Sequence, residues 1–285
     1  VLPTRMSGNL SIDHIATAWS NHTTAVEQFT DGGLSPQFGG EHADGTTQMS
    51  IVPFADGSYL ELISPTETTQ PGETVRWPTH IGTDAGPCAW AIEPEDIVAA
   101  AKRSIDAGEP IVGPQQGGRT RPDDVMIEWD ELFVGPESDR FALPFFVTDR
   151  TPKSYRVPSE WAHDGPITGI AELGIAVSAI EPWATRFKRL FRIPTPIETS
   201  IESIDAIVAS IPGEPVSFLS PKNPHSPLKT RLDRYPPGPA YCLFAVNDLS
   251  QAVDMYPVSS PTTFGNQSVC WFEGPLGKQF GIVEN

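Results

Sequence analysis

The first clear pattern along the chain is an apolar run carrying one histidine, Ile12-Asp13-His14-Ile15-Ala16. A helical period follows over 21–30, where Val26 and Phe29 lie three apart and can bury one face. Asn21 stands where a side-chain oxygen caps that helix, and Gly32-Gly33 stops it. Leu34 to Phe38 reads as a short strand and 39–46 as a polar, glycine-rich loop. Two more strands, 48–54 and 59–63, meet at Asp56-Gly57, a dipeptide that signals a tight hairpin between apolar runs. The unit is β-α-β-β-β. Side chains alternate along a strand, so His14 shares a face with Ile12 and Ala16 while Asp13 points the other way. Asp13 and His14 are therefore not expected to meet. By the same rule Tyr59, Glu61 and Ile63 lie opposite Leu60 and Leu62. With the leucines packed on the helix, Glu61 lines the concave side.

The order recurs. A second unit has a strand at 88–92 and Pro94 in the first turn of a helix, whose apolar side is Ile97, Val98, Ala101 and Ile105. Strands follow near 111–112, 125–129 and 141–147. A third unit runs from a strand at 170–177 through a helix with Trp183, Phe187, Leu190 and Phe191 to strands at 201–204, 206–211 and 216–219. A fourth has strands at 241–246, 269–272 and 279–283, with a short helix over 249–255. Two polar, proline-bearing stretches, 66–86 and 148–166, read as linkers, and the second is the clearest boundary. The expected class is α+β: four degenerate βαβββ modules paired into two domains, 8–150 and 165–285. The pocket is expected in the first domain, and the second is expected to be structural.

Composition narrows the partners. The 285 residues suffice for about two domains with a core that needs no staples. Cys88, Cys242 and Cys270 show no CxxC spacing, which argues for reduced thiols and a cytoplasmic location and against a zinc ribbon. A net charge of -17, without a basic stripe, excludes a general nucleic-acid binder. Lysine is scarce beside 36 Asp and Glu, a balance that suits a high-salt cytoplasm. No run of apolar residues is long enough for a membrane span. The N-terminal residues lack an apolar signal core, so Met6 is the candidate start, disorder is expected in the first few residues, and the sequons at Asn9, Asn21 and Asn266 carry no weight. Gly117-Gly118 lacks the strand–helix setting of a phosphate loop, so no nucleotide cofactor is expected. No serine elbow and no Cys/His pair is visible.

Four motifs then carry a resemblance: Ile12-Asp13-His14-Ile15; His42 followed by Gly45-Thr46; Asp56-Gly57-Ser58-Tyr59-Leu60-Glu61-Leu62; and Leu143-Pro144-Phe145-Phe146. With the module order, the chain resembles the vicinal oxygen chelate (glyoxalase/bleomycin-resistance/extradiol dioxygenase) superfamily, in its glyoxalase-like domain branch. The resemblance implies paired, curved sheets around a cleft, with ligands for a divalent metal ion on the first and last strands of the modules. His14 and Glu61 match two such positions and are the candidate catalytic residues, with His42 a possible third ligand. Aligning 170–177 on the first unit puts Gly174 at the His14 position. Aligning 218–221 on Leu62-Ile63-Ser64-Pro65 puts Ser217 at the Glu61 position. The second unit offers Trp90 and Phe145, and Gly281 falls on the glutamate position of the family's closing strand. Half of a metal site is therefore expected.

Tyr59, Trp90, Arg119 and Arg121 are the candidate substrate contacts, the arginines as a pair that could clamp a carboxylate. Glu128, Asp130 and Glu131 around Trp129 read as a solvated edge. His22, His80, His163 and His225 lie in polar or loop contexts and receive no role. Two functions stay open. One is an enzyme: a metal-assisted lyase, isomerase or dioxygenase for a small oxygenated metabolite. The other is a non-catalytic protein that binds such a molecule. A small molecule is the expected partner, with no membrane or nucleic acid, and a homodimer is left open.

Overall fold

Two eight-stranded sheets, one from each half of the chain, carry the fold, and among the described residues no sheet crosses the 148–166 boundary. The computed structural model describes residues 10–277 and 279–284; Met6, Asn9 and Lys278 lie outside the described residues. The first sheet contains β1 (Ile12–Ala18), β2 (Gln37–Glu41), β3 (Thr47–Pro53), β4 (Tyr59–Pro65), β5 (Gly86–Ile92), β6 (Ile111–Thr120), β7 (Met126–Val134) and β8 (Phe145–Asp149). The second contains β9 (Ile167–Ala176), β10 (Ile197–Ile201), β11 (Ala206–Ser210), β12 (Val216–Pro221), β13 (Gly238–Val246), β14 (Thr262–Phe264), β15 (Gln267–Trp271) and β16 (Phe280–Glu284). The helices are α1 (His22–Asp31), α2 (Pro78–Ile81), α3 (Ile97–Asp106), α4 (Lys153–Arg156), α5 (Ile180–Phe191), α6 (Pro227–Arg234) and α7 (Leu249–Met255).

Strand order is β2-β3-β4-β1-β5-β8-β7-β6 in the first sheet and β10-β11-β12-β9-β13-β16-β15-β14 in the second. Each module pairs its first strand with its last in parallel, as β1 with β4 and β9 with β12. A parallel pair needs a crossover, and α1, α3, α5 and α7 supply it. Modules join antiparallel through their first strands, β1 to β5 and β9 to β13. The fold is thus the expected α+β set of four βαβββ modules, paired two and two.

The helix-facing sides of both sheets share one apolar core. Leu60, Leu62 and Trp90 from the first half meet Phe187, Phe218 and Phe244 from the second, all fully buried. Rings cross the boundary: Phe54 lies 5.3 Å from Phe244 and Phe29 lies 5.2 Å from Phe280. Each such ring buried contributes about 1.5–3 kcal/mol. The concave side of the first sheet carries a second, smaller apolar cluster, among its members Ala16, Met49, Ile51, Tyr59, Ile63 and Ala89.

Local details differ from the sequence reading. Asn21 caps α1 by accepting from the Thr24 N–H, but Ala25 and Phe29 are the buried pair, four apart. Asp96, not Pro94, opens α3, because its carboxylate accepts from the N–H groups of Val98 and Ala99. Val98 and Ile105 are exposed, leaving Ile97, Ala100 and Ala101 inside. The two linkers are not passive. The first holds α2, and the second holds α4, which folds back over the concave side of the first sheet.

Candidate active site

One irregularity in β1 builds the site. Ile12 pairs with Ile92 and His14 with Ala91, so two steps on β1 oppose one on β5, and Asp13 is the extra residue of a bulge. A bulge breaks alternation and re-aims side chains. Ile12 consequently packs in the helix-side core, and both Asp13 and His14 face the concave side. The expectation that these neighbours point apart is corrected: Asp13 Oδ2 lies 2.8 Å from His14 Nδ1.

Asp13 is buried and heavily partnered. Arg156 donates to Oδ2 at 2.7 Å and to Oδ1 at 3.3 Å, and Lys153 Nζ donates to Oδ1 at 2.7 Å. Burial alone would raise the Asp13 carboxyl; the Arg156 charge and the His14 hydrogen bond outweigh it and hold it well below the usual carboxylate range. An ionised carboxylate only accepts, so the His14 proton sits on Nδ1 and Nε2 faces the cavity. Arg156 also bonds both oxygens of Asp149 at 2.7 Å and donates to the Tyr59 hydroxyl at 2.8 Å. Tyr59 in turn stacks on the His14 ring at 4.6 Å, and Phe145 meets it edge-on at 5.3 Å. Burial next to Asp13 and Glu61 pushes the Tyr59 hydroxyl far up, so it stays protonated.

Glu61 extends from β4 between two imidazoles. His14 Nε2 lies 3.7 Å from Oε2, and His42 Nε2 lies 3.4 Å from Oε1. His42 comes from the loop after β2, folded inward by the Thr47 hydroxyl at 2.9 Å from its Nδ1. Burial would raise the Glu61 carboxyl; the His42 hydrogen bond and the charges around it bring it down to about 2. These groups line a small cavity of about 40 Å³ with Arg76, Arg119, Trp129 and Glu131.

Arg119 reaches this cavity from β6, the edge strand opposite β2. Its Nη1 donates to the Gly39 carbonyl on β2, while its Nη2 is buried with no partner. Gly40 makes the approach of the two edges possible: its φ is +114°, and a Cβ there would lie 2.7 Å from the Thr120 carbonyl oxygen.

The expected site residues divide. The fold brings together His14, Glu61, His42, Tyr59 and Arg119. Trp90 is a correction: it lies on the helix-facing side, fully buried, stacked on Phe187 and donating to the Ala142 carbonyl at 3.1 Å. Arg121 is also a correction. It chelates Asp123, bonds the Tyr155 carbonyl at 3.1 Å and lies over the Trp161 ring, so it forms no clamp with Arg119. Asp13, Lys153 and Arg156 were missed. The bulge hid the first, and the other two lie in a stretch whose composition reads as a linker.

A divalent ion, which the fold family implies, can be tested against these residues. Two imidazole nitrogens and one carboxylate are a standard donor set for a divalent transition metal. Bonds of about 2.1 Å put neighbouring donors roughly 3.0–3.4 Å apart, close to the 3.4 and 3.7 Å spacings here. The Nδ1 anchors on Asp13 and Thr47 are the kind of outer support that orients ligating histidines. Among the described residues no three His, Cys, Asp or Glu side chains close on a common point as they stand. The residues suit an ion by donor type, and one pair, His42 with Glu61 at 3.4 Å, already stands at the spacing it needs.

The second half holds a filled counterpart. Ser217 on β12 pairs with Gly174 as Glu61 pairs with Ala16, which makes Glu172 the register equivalent of His14. The neighbouring strand agrees: Glu172 pairs with Leu243 as His14 pairs with Ala91. The equivalence of Gly174 with His14 drawn from sequence is thus off by two residues. Glu172 accepts from Ser217 Oγ at 2.6 Å, from the Tyr241 hydroxyl at 2.5 Å and from Gln267. The Tyr241 ring occupies the space over Gly174, where a Cβ would meet it at 2.1 Å.

Paired modules, curled sheets and a polar cluster on the first and last strands define a protein of the vicinal oxygen chelate superfamily. The chain belongs to the glyoxalase-like domain family, whose sequence model matches residues 12–191. Among solved structures it is similar to a hypothetical protein from Staphylococcus aureus (TM-score 0.64, 13% identity, covering 96% of this chain and 99% of that one). It is also similar to a mutant of 4-hydroxymandelate synthase from Streptomyces coelicolor (0.59, 12%, 98% and 93%). A xylose isomerase-like TIM barrel/4-hydroxyphenylpyruvate dioxygenase fusion protein matches at 0.55 and 13%, over 99% of this chain and 49% of that one. At these identities the likeness is one of fold. No curated protein matches the sequence. No helix among the described residues is long and apolar enough to cross a membrane.

Proposed function

We propose that the first half is a glyoxalase-like enzyme site for a small oxygenated metabolite, with His14, Glu61 and His42 holding a divalent ion beside Arg119. The observation that carries this reading is the convergence of two anchored imidazoles on one largely buried carboxylate, at 3.7 and 3.4 Å. A bound divalent ion supplies Lewis-acid polarisation of a substrate oxygen. The chain's own residues do the rest. Asp13 fixes the His14 tautomer and Thr47 restrains His42. Glu61, ionised down to about pH 2, is a negative ligand rather than a base matched to neutral pH. Arg119 Nη2, buried without a partner, offers a fixed donor to an oxyanion that develops during reaction.

The reaction classes consistent with this arrangement are those of a lyase, an isomerase or a dioxygenase. A second reading, a binder without turnover, is favoured because no three donors among the described residues converge on one point. Incubating a cell metabolite pool with wild type, His14→Ala and Glu61→Gln, read by mass spectrometry, separates the two. Turnover by the wild type that both variants lose supports the enzyme. A compound retained unchanged by the wild type supports the binder.

A further inference from the structure

Beside the inner cavity lies a larger one of about 590 Å³, within the range that suits small ligands. The two share Arg76, Glu131 and Phe145, so a molecule in the outer cavity can present one end toward His14 and Glu61. We propose that this outer cavity binds a flat aromatic carboxylic acid, its carboxylate held by Arg140 and Arg234 and its ring against the Trp77–Phe141 wall. As the seat of a substrate it rests on the function proposed above; as a binding site it stands on its own observations.

The first is charge. Arg76, Arg140 and Arg234 all line the cavity, and none is ion-paired with a described carboxylate. Arg121, Arg150, Arg156, Arg186 and Arg189, by contrast, each sit on an acid. Seven of the twelve described arginines make no ion pair with a described carboxylate, and three of those seven meet here. Each lies over an aromatic ring instead: Arg76 over Trp77, Arg140 over Phe133 and Arg234 over Tyr235, at 5.4, 5.8 and 5.5 Å. Asp44 and Glu131 also line the cavity but are engaged, the first by Thr46 and the second by Gln115 and Trp129. Glu137 is the third acid there.

The second is unfilled hydrogen bonding. His80 is 3% exposed, and its Nε2 is buried with no partner. The Nε of Arg76 is in the same condition. Buried polar atoms left unsatisfied are rare and call for a ligand or a structural reason. Burial beside Arg231 holds the His80 imidazole at about 4, so it is neutral at pH 7.

The third is shape. His80 is stacked between Phe141 at 4.2 Å and Tyr235 at 4.8 Å, and Trp77 lies 6.2 Å from Phe141. The cavity is thus walled by flat rings, which favour a flat guest. Guanidiniums at its mouth select a planar two-oxygen anion. Arg234 and Pro236 come from the end of α6, so the second half of the chain completes a cavity on the first.

Isothermal titration of wild type, Arg140→Gln and Arg234→Gln with cinnamate, cinnamamide and inorganic phosphate tests the proposal. Arg234 is exposed, so its replacement leaves folding intact, and a melting scan checks both variants. Saturable cinnamate binding, weakened about tenfold or more in each variant and for the amide, supports it. No saturation up to about 10 mM, equal affinity for acid and amide, unchanged affinity in both variants, or phosphate binding as tightly as cinnamate would each overturn it. A protein that turns over no metabolite leaves these outcomes untouched, since they read binding alone.

Discussion

The Asp13 carboxylate sits 2.8 Å from the imidazole of its own chain neighbour, His14, a contact that regular strand alternation forbids and the β1 bulge creates. Asp13 is also the anion between Arg156 and Lys153. Asp13→Asn keeps the shape and removes the charge. Breaking a buried pair from one side typically costs about 3–5 kcal/mol. Denaturant unfolding of the variant is expected to show a loss of that order, together with loss of any His14-dependent activity. A loss below about 1 kcal/mol would mean that Asp149 and Glu93 hold the two cations unaided.

Metal content follows from the donor set. Purified wild type, dialysed against a divalent transition metal, is expected to retain about one equivalent. His14→Ala, His42→Ala and Glu61→Gln should each retain far less. Equal content in all four proteins, or none in any, would mean that the cluster acts without an ion.

Acid should act in two windows. His80 is lowered from 6.5 to about 4 by burial and then by Arg231. Its unfolded form takes up a proton first, so its contribution is complete above pH 6.5 and is lost as pH falls toward 4. Glu61 is lowered from 4.5 to about 2; its contribution is complete above pH 4.5 and is lost as pH falls through about 2. Each is worth on the order of 3 kcal/mol at most. Chemical denaturation across pH 7.5 to 3 reads both. His80→Phe should flatten the upper window and Glu61→Gln the lower; unchanged slopes in the variants would contradict the assignment.

Salt should stabilise the chain. With 36 acidic residues against 19 basic, self-repulsion is screened as ions are added. Thermal melts from low to molar KCl are expected to rise; a flat or falling midpoint would refute the charge argument.

The second half offers a packing test. Gly174→Ala puts a methyl about 2.1 Å from the buried Tyr241 ring. Overpacking of this kind costs about 1–3 kcal/mol. Tyr241→Leu in the same chain should recover part of that loss, and a double-mutant cycle measures the coupling. Strictly additive effects would show that ring and glycine are independent.

The regular parts of this fold were legible because their physics is local. Alternation on β4 put Glu61 on the concave side, and Leu60 with Leu62 on the helix side. Asn21 announced its helix. What was not legible depends on breaks in regularity or on distant chain. A one-residue bulge turned Asp13 inward; the second half carries the same bulge at Ala171, so the two-residue slip between His14 and Gly174 came from matching apolar runs that look alike in sequence. Trp90 obeyed alternation, but an aromatic on a central strand does not declare which face is the core. Arg156 and His80 lie in stretches rich in proline and polar residues, where composition signals a loop and says nothing about what packs beneath it. The two metal-like histidines, lying 28 positions apart in sequence, meet only because β2, β3 and β4 form a meander.

Tyr241 gives the duplication an asymmetric outcome. In the first half the hollow under the sheet is open to an external molecule; in the second the corresponding hollow is occupied by a side chain that the chain itself carries, bonded to Glu172 and Ser217. On the function proposed above, two similar sheets would then amount to one binding equivalent per chain. An inhibitor designed for the His14 cavity would meet no second copy of it to titrate, and its dose–response curve would have no intramolecular cooperativity to report.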